Sequence, residues 1–133
     1  MRLAASFALC LVAGAAGAAE QSFLFDVLRL PPYRASWEKL MKSVEPMPDW
    51  LMHFNRNFDG ESGEMAPVTI DGKPSQLSFV CKPTECAEHR FEVLFDAGGG
   101  HAYGALGGKD EPPAFYGAPA PAQQQELAKA LAK

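Results

Sequence analysis

Several things are scarce or missing in this 133-residue chain, and each narrows what it can be. Basic residues are outnumbered, 12 Lys and Arg against 16 Asp and Glu. An acidic surface offers nothing to a polyanion, so nucleic acid is excluded as a partner and a basic partner, or none, is favoured. The apolar run from Leu3 to Val12 is too short to span a bilayer. The glycines do not form a phosphate cradle. Counted from Gly98, the sixth position of a G-x-G-x-x-G pattern is Tyr103, and Gly108-Lys109 is followed by Asp110 where Ser or Thr would be needed. They read as turn and close-packing positions, and no nucleotide cofactor is expected. A G-x-S-x-G nucleophile elbow is also missing. Asn55 to Glu64 carries Asp59, Glu61 and Glu64 but lacks the longer alternating run of oxygen ligands closed by a glutamate that a calcium loop requires, so it reads as a solvated loop.

What is present begins with an export signal. Arg2 supplies a positive start, Leu3 to Val12 an apolar stretch, and Ala13 to Ala19 small residues suited to cleavage after Ala18 or Ala19. Residues 1–19 are therefore read as a signal peptide and residues 20–133 as one domain, exported and without a membrane anchor in its mature form. Cleavage removes Arg2 but no acid, leaving 11 basic residues against 16 acidic ones. Cys10 departs with the signal, and of three cysteines only Cys81 and Cys86 remain. An even pair in an oxidising compartment is expected to be a disulfide.

The mature chain divides by hydrophobic period. Phe23 to Leu30 fits a short helix. From Tyr33, the apolar residues Trp37, Leu40, Met41 and Val44 recur at i, i+3, i+4 and i+7 opposite Arg34, Glu38, Lys39 and Lys42, an amphipathic helix that ends before Pro46. Pro48 to Met52 suggests one or two further helical turns, with Asp49 placed to satisfy free N–H groups. After Pro67 the period becomes two. Val68-Thr69-Ile70 and Gln76 to Val80 flank Asp71-Gly72-Lys73-Pro74, which reads as a hairpin with a turn of about four residues. Phe91, Val93 and Phe95 alternate with Glu92 and Leu94 in a further strand, and His101 to Leu106 form another. Pro112 to Pro121 is extended, and Gln123 to Lys133 is helical, with Leu127 and Leu131 on one face. Closely linked consecutive strands pair antiparallel. The expected class is α+β, with about four or five strands and N-terminal and C-terminal helices packed against the sheet.

The chemistry-bearing candidates are few. Cys81, Cys86, His89 and His101 supply four residues of zinc-ligand type within about twenty positions, which makes a periplasmic metal-binding protein or enzyme using His89 and His101 an alternative. An oxidising compartment favours the disulfide over thiolates, so no metal is expected. Paired carboxylates for glycosidic acid–base work cannot be singled out among 16 acids. The feature that stands out is Cys81-Lys82-Pro83-Thr84-Glu85-Cys86. Closing so small a ring removes only about 2 kcal/mol of unfolded-state entropy. Its stronger effect is local, because the crosslink and Pro83 restrict the conformations in which Lys82, Thr84 and Glu85 are displayed. Such a loop suits insertion into a cleft.

This hexapeptide resembles the Cys-Lys-Pro-His-Asp-Cys signature of the inhibitor of vertebrate lysozyme (Ivy) family. Pro48-Asp49-Trp50-Leu51-Met52 is similar to the family's Pro-x-Trp-x-Met segment, Val68-Thr69-Ile70 with Gly72 to its first hairpin, and Cys86-x-x-x-Arg90 with Val93 and Gly104 to the strand and turn after the loop. The resemblance implies a non-enzymatic, periplasmic α+β protein with a Cys81–Cys86 disulfide and an inhibitory loop, Lys82, Pro83, Thr84 and Glu85, that plugs a lysozyme cleft. The expected partner is a c-type lysozyme or a related muramidase or lytic transglycosylase; some members of the family are dimers, and the sequence leaves a homodimer open. Thr84 stands where the family's histidine reaches the enzyme's two catalytic carboxylates. A threonine hydroxyl donates one hydrogen bond and cannot become a cation. Glu85 replaces the family's aspartate with a side chain one methylene longer.

Overall fold

A computed structural model of the protein describes residues 22–133; the signal peptide read at residues 1–19 lies outside the described residues. The element order is α1 (Leu24–Val27), α2 (Pro31–Ser43), α3 (Asp49–Asn57), β1 (Glu61–Ser62), β2 (Ala66–Ile70), β3 (Lys73–Cys81), β4 (Arg90–Asp96), a short 3-10 turn (Ala97–Gly99), β5 (Ala102–Gly107), β6 (Ala114–Tyr116) and α4 (Pro121–Leu131). The class is α+β, as the periodicity predicts. The sheet is antiparallel and ordered β1-β3-β4-β5-β6, with β2 also paired to β3. Among the described residues no helix is long and apolar enough to cross a membrane.

Three layers result. On one side of the sheet Trp37, Leu40, Met41 and Val44 of the α2 region join Leu51 and Phe54 of α3 over Val80, Phe91, Val93 and Phe95. On the other side Leu127 and Leu131 of α4 cover Leu94, Ala105 and Ile70. The strand period of two thus sorts β4 between two cores, so that Phe91 to Phe95 are all buried. The helix predicted from Tyr33 begins two residues earlier, with Pro31 and Pro32 in its first turn, where no intrahelical N–H is required.

Three expectations are corrected. The first hairpin turn has two residues rather than about four. Ile70 pairs with Lys73, and Asp71 and Gly72 both have positive φ, the mark of a type I′ turn whose twist matches the strands. Pro74 is accommodated because β4 begins pairing only at Ser75. The segment Asn55 to Glu64 is not all loop: α3 runs on to Asn57, and Glu61–Ser62 pair with Cys81 and Val80. Tertiary contacts override the polar composition here, since Asn55 accepts the Trp37 indole N–H at 2.8 Å and Phe54 meets the Trp37 ring edge-on at 5.9 Å. The stretch from Pro112 contains a sixth strand, β6, paired to β5.

Glu92 lies on the α4 side of β4 and is 1% exposed. Arg90 meets it at 2.6 Å. Burial raises the Glu92 carboxyl above its ordinary range, against the hydrogen bond and charge of Arg90 and the charge of Lys133, which lower it. A pKa raised in the fold means that Glu92 contributes most to stability below the ordinary glutamate value, and that this contribution is lost as pH rises through the raised one. The stability difference between Glu92→Gln and the wild type, from urea unfolding, should therefore move in favour of the variant as pH rises from about 4 to about 7. A difference that stays constant or moves the other way contradicts the assignment.

Candidate functional site

The chain between β3 and β4 closes one end of the sheet. Cys81 stands opposite Arg90 at the last rung of the β3–β4 ladder, and Lys82 N–H donates to His89 carbonyl at 2.9 Å. Cys81 and Cys86 are joined, with Cα atoms 4.9 Å apart, as a disulfide requires. Within the ring, Glu85 N–H donates to Lys82 carbonyl at 3.0 Å, Pro83 occupies the second position, and Thr84 has φ 65°. Proline second and a left-handed third residue are the marks of a type II turn. Pro83 and Thr84 form the exposed apex, while Lys82, Glu85 and Cys86 are half-buried.

The apex conformation is unusual for its sequence. A β-branched residue at positive φ is an outlier, costing on the order of 1–3 kcal/mol, and here it lies inside the six-residue disulfide ring directly after Pro83. Asparagine, aspartate and histidine enter this region several-fold more readily than most side chains. The family's histidine is therefore better suited than threonine to the backbone at position 84.

Electrostatically the loop is balanced. Lys82 Nζ and Glu85 Oε2 are 2.5 Å apart, and the Lys82 hydrogen bond, then its charge, holds the Glu85 carboxyl below its usual range, with His89 adding a smaller effect against a slight opposing desolvation. Both side chains are more than two-fifths exposed, so this pair orients the loop more than it stabilises the protein.

The base of the loop is fixed by Arg90. Its guanidinium lies 3.8 Å above the Phe79 ring centroid, meets buried Glu92, and brings Nη1 to 3.9 Å from Cys86 Sγ. A second brace comes from the β5–β6 connection. Lys109 N–H donates to Ala87 carbonyl at 2.9 Å, and a Cβ on Gly108 would lie 2.0 Å from Glu88 carbonyl oxygen, so only glycine fits there. Residue spacing pointed to Arg90 only through the Cys86-x-x-x-Arg90 likeness. The bracing role of Gly107 to Glu111 had no local signal, because it depends on a contact between two loops.

The metal alternative loses its ligands. Cys81 and Cys86 are bonded to each other, and His89 and His101 sit at opposite ends of the β4–β5 pair, with Arg90 opposite Gly107 at one end and Phe95 opposite Ala102 at the other. His101 packs on Tyr103 and hydrogen-bonds Gly117 carbonyl at 3.1 Å. Among the described residues no group of three or more His, Cys, Asp and Glu could hold a metal.

Fold and site together define a class: a small α+β protein that presents a covalently closed, braced turn at the end of an antiparallel sheet. A family model described as inhibitor of vertebrate lysozyme (Ivy) matches residues 32–133, and the chain belongs to that family. It is 33% identical over 89 residues to the inhibitor of vertebrate lysozyme of Pseudomonas aeruginosa, covering 67% of this chain and 56% of that protein. It is 28% identical over 79 residues to an uncharacterized protein of Yersinia pestis, covering 59% of this chain and 49% of that one. The chain spans about half the length of the curated relatives it matches.

If the ring holds Thr84 in a strained conformation, Thr84→Gly removes the Cβ clash and stabilises the oxidised protein by about 1 kcal/mol. Chemical denaturation of the oxidised wild type and variant measures this. Destabilisation by the variant contradicts the left-handed assignment.

Proposed function

We propose that this protein is a non-enzymatic inhibitor of lysozyme, exported to the periplasm, and that the turn Lys82-Pro83-Thr84-Glu85 enters the enzyme's saccharide cleft and excludes substrate. The observation that supports this most is the exposed apex held by the Cys81–Cys86 bond in a member of this family. The Pseudomonas aeruginosa relative carries the name of that activity. Because crosslink, proline and bracing contacts already restrict the turn, little conformational entropy remains to be lost on docking. Thr84 offers one hydroxyl donor at the apex, and Lys82 and Glu85 flank it as a paired cation and acid. Vertebrate c-type lysozymes are strongly basic, so an exported chain with 11 basic against 16 acidic residues is favoured in encounter, an effect that salt screens.

A specific observation favours a second target class. Thr84 lacks the charge and the second donor with which the family's histidine meets a carboxylate pair. That makes a lytic transglycosylase of the cell itself, or another lysozyme type, the second target we propose for this apex. Under either target the role is steric exclusion, with no bond made or broken by this chain.

Titrating the oxidised protein against a c-type lysozyme and against a lytic transglycosylase tests the proposal. Dose-dependent inhibition of at least one is expected, weakened roughly tenfold by reduction of the disulfide, equivalent to about 1.4 kcal/mol. Thr84→His should strengthen inhibition of the c-type enzyme. Absence of inhibition and binding in both assays overturns the proposal, and a Thr84→His response that stays flat shows that a different surface makes the contact.

A further inference from the structure

The segment Pro48-Asp49-Trp50 has no part in the turn itself, yet the fold brings it alongside. It opens α3 and forms one wall of a cleft of about 510 Å³ whose other walls include Lys82 and His89 from the turn region and Glu111 from the β5–β6 connection. Residues more than thirty positions apart in sequence thus share one notch at the foot of the exposed apex. We propose that this notch is a second contact element of the inhibitor, one that captures a lysine or arginine side chain of the same basic target as the turn enters its cleft. The inference rests on the inhibitor reading above and deepens it.

Three observations carry it. The first is charge. Lys82 is engaged by Glu85, whereas the carboxylates of Asp49 and Glu111 have no hydrogen-bond or ion-pair partner among the described residues. The unbalanced charge facing the notch is therefore negative, and it comes from two separate elements. The second is surface chemistry. Trp50 is half-buried against the core, so its ring is held in place, and a guanidinium or ammonium gains from an aromatic face beside carboxylates. The third is rigidity. Each wall is fixed before any partner arrives: the 3.0 Å Met52-to-Pro48 bond starts α3, the 2.8 Å Trp37–Asn55 bond locks it to α2, and the 2.9 Å Lys109-to-Ala87 bond fixes Glu111's loop to the turn region. Such a receptor for one long cation, continuous with the proposed docking apex, adds register as well as affinity.

The test compares single neutralisations that each remove one negative charge. Asp49→Asn and Glu111→Gln alter the notch, and Asp71→Asn alters the exposed hairpin tip at the opposite end of β3. Dissociation constants for a c-type lysozyme are measured at low and high salt, with circular dichroism to verify folding. Each notch variant is expected to bind roughly three- to tenfold more weakly than Asp71→Asn at low salt, with the gap narrowing as salt rises. If Glu111→Gln, a change on an exposed loop, binds no more weakly than Asp71→Asn while Pro83→Ala weakens binding, the notch is overturned and the turn reading stands. If the wild type binds neither a c-type lysozyme nor a lytic transglycosylase, the inhibitor reading fails and this inference falls with it.

Discussion

Seven consecutive pairs, from Ser75 opposite Asp96 to Cys81 opposite Arg90, join β3 to β4. The proposed inhibitory turn is the chain that closes the far end of that ladder. Its direction in space is set by the two strands, which are held between α2 and α3 on one face and α4 on the other. Arg90 links the core to the turn: the same guanidinium covers Phe79, meets buried Glu92 and approaches Cys86. Burying a carboxylate is unfavourable unless it is paired, so Glu92 commits Arg90 to one orientation. The disulfide then confines only the few residues beyond it.

At the apex, backbone and chemistry make separate demands. The turn closed by the hydrogen bond from Glu85 N–H to Lys82 carbonyl, with the proline between them, places a left-handed residue at position 84. Threonine meets that demand at an energetic cost, and it presents one hydroxyl where the family's histidine presents a ring. The turn geometry can thus be kept while the group it offers to a target changes. Lys82 and Glu85 neutralise one another beneath the apex, and in the proposed reading the wider acidic surface, with Asp49 and Glu111 beside the turn, would supply the attraction to a basic target.

Much of this was legible in the sequence, for identifiable reasons. Trp37, Leu40, Met41 and Val44 announced α2 because one face of a helix needs an apolar residue every three or four positions, and all four are buried. Phe91, Val93 and Phe95 announced β4 by alternation, and two cysteines six positions apart inclusive marked the ring. Other features had no local signal. The continuation of α3 past Met52 depends on Asn55 accepting the Trp37 N–H, and the pairing of Glu61 and Ser62 depends on the position of β3. Glu92 read as the polar face of an alternating strand, but α4 covers that face and its direct ion pair is with Arg90. The notch was invisible because Trp50, Lys82 and Glu111 meet only once helix, hairpin and connection are assembled.

The central claim, that the braced turn is the surface that meets the target, is tested most directly by amide hydrogen exchange of the oxidised protein with and without a c-type lysozyme. The account predicts that added protection concentrates in residues 82–90 and the adjoining 48–50 and 107–111 segments. Protection confined to the outer face of α4, with exchange in residues 82–90 unchanged, would contradict it.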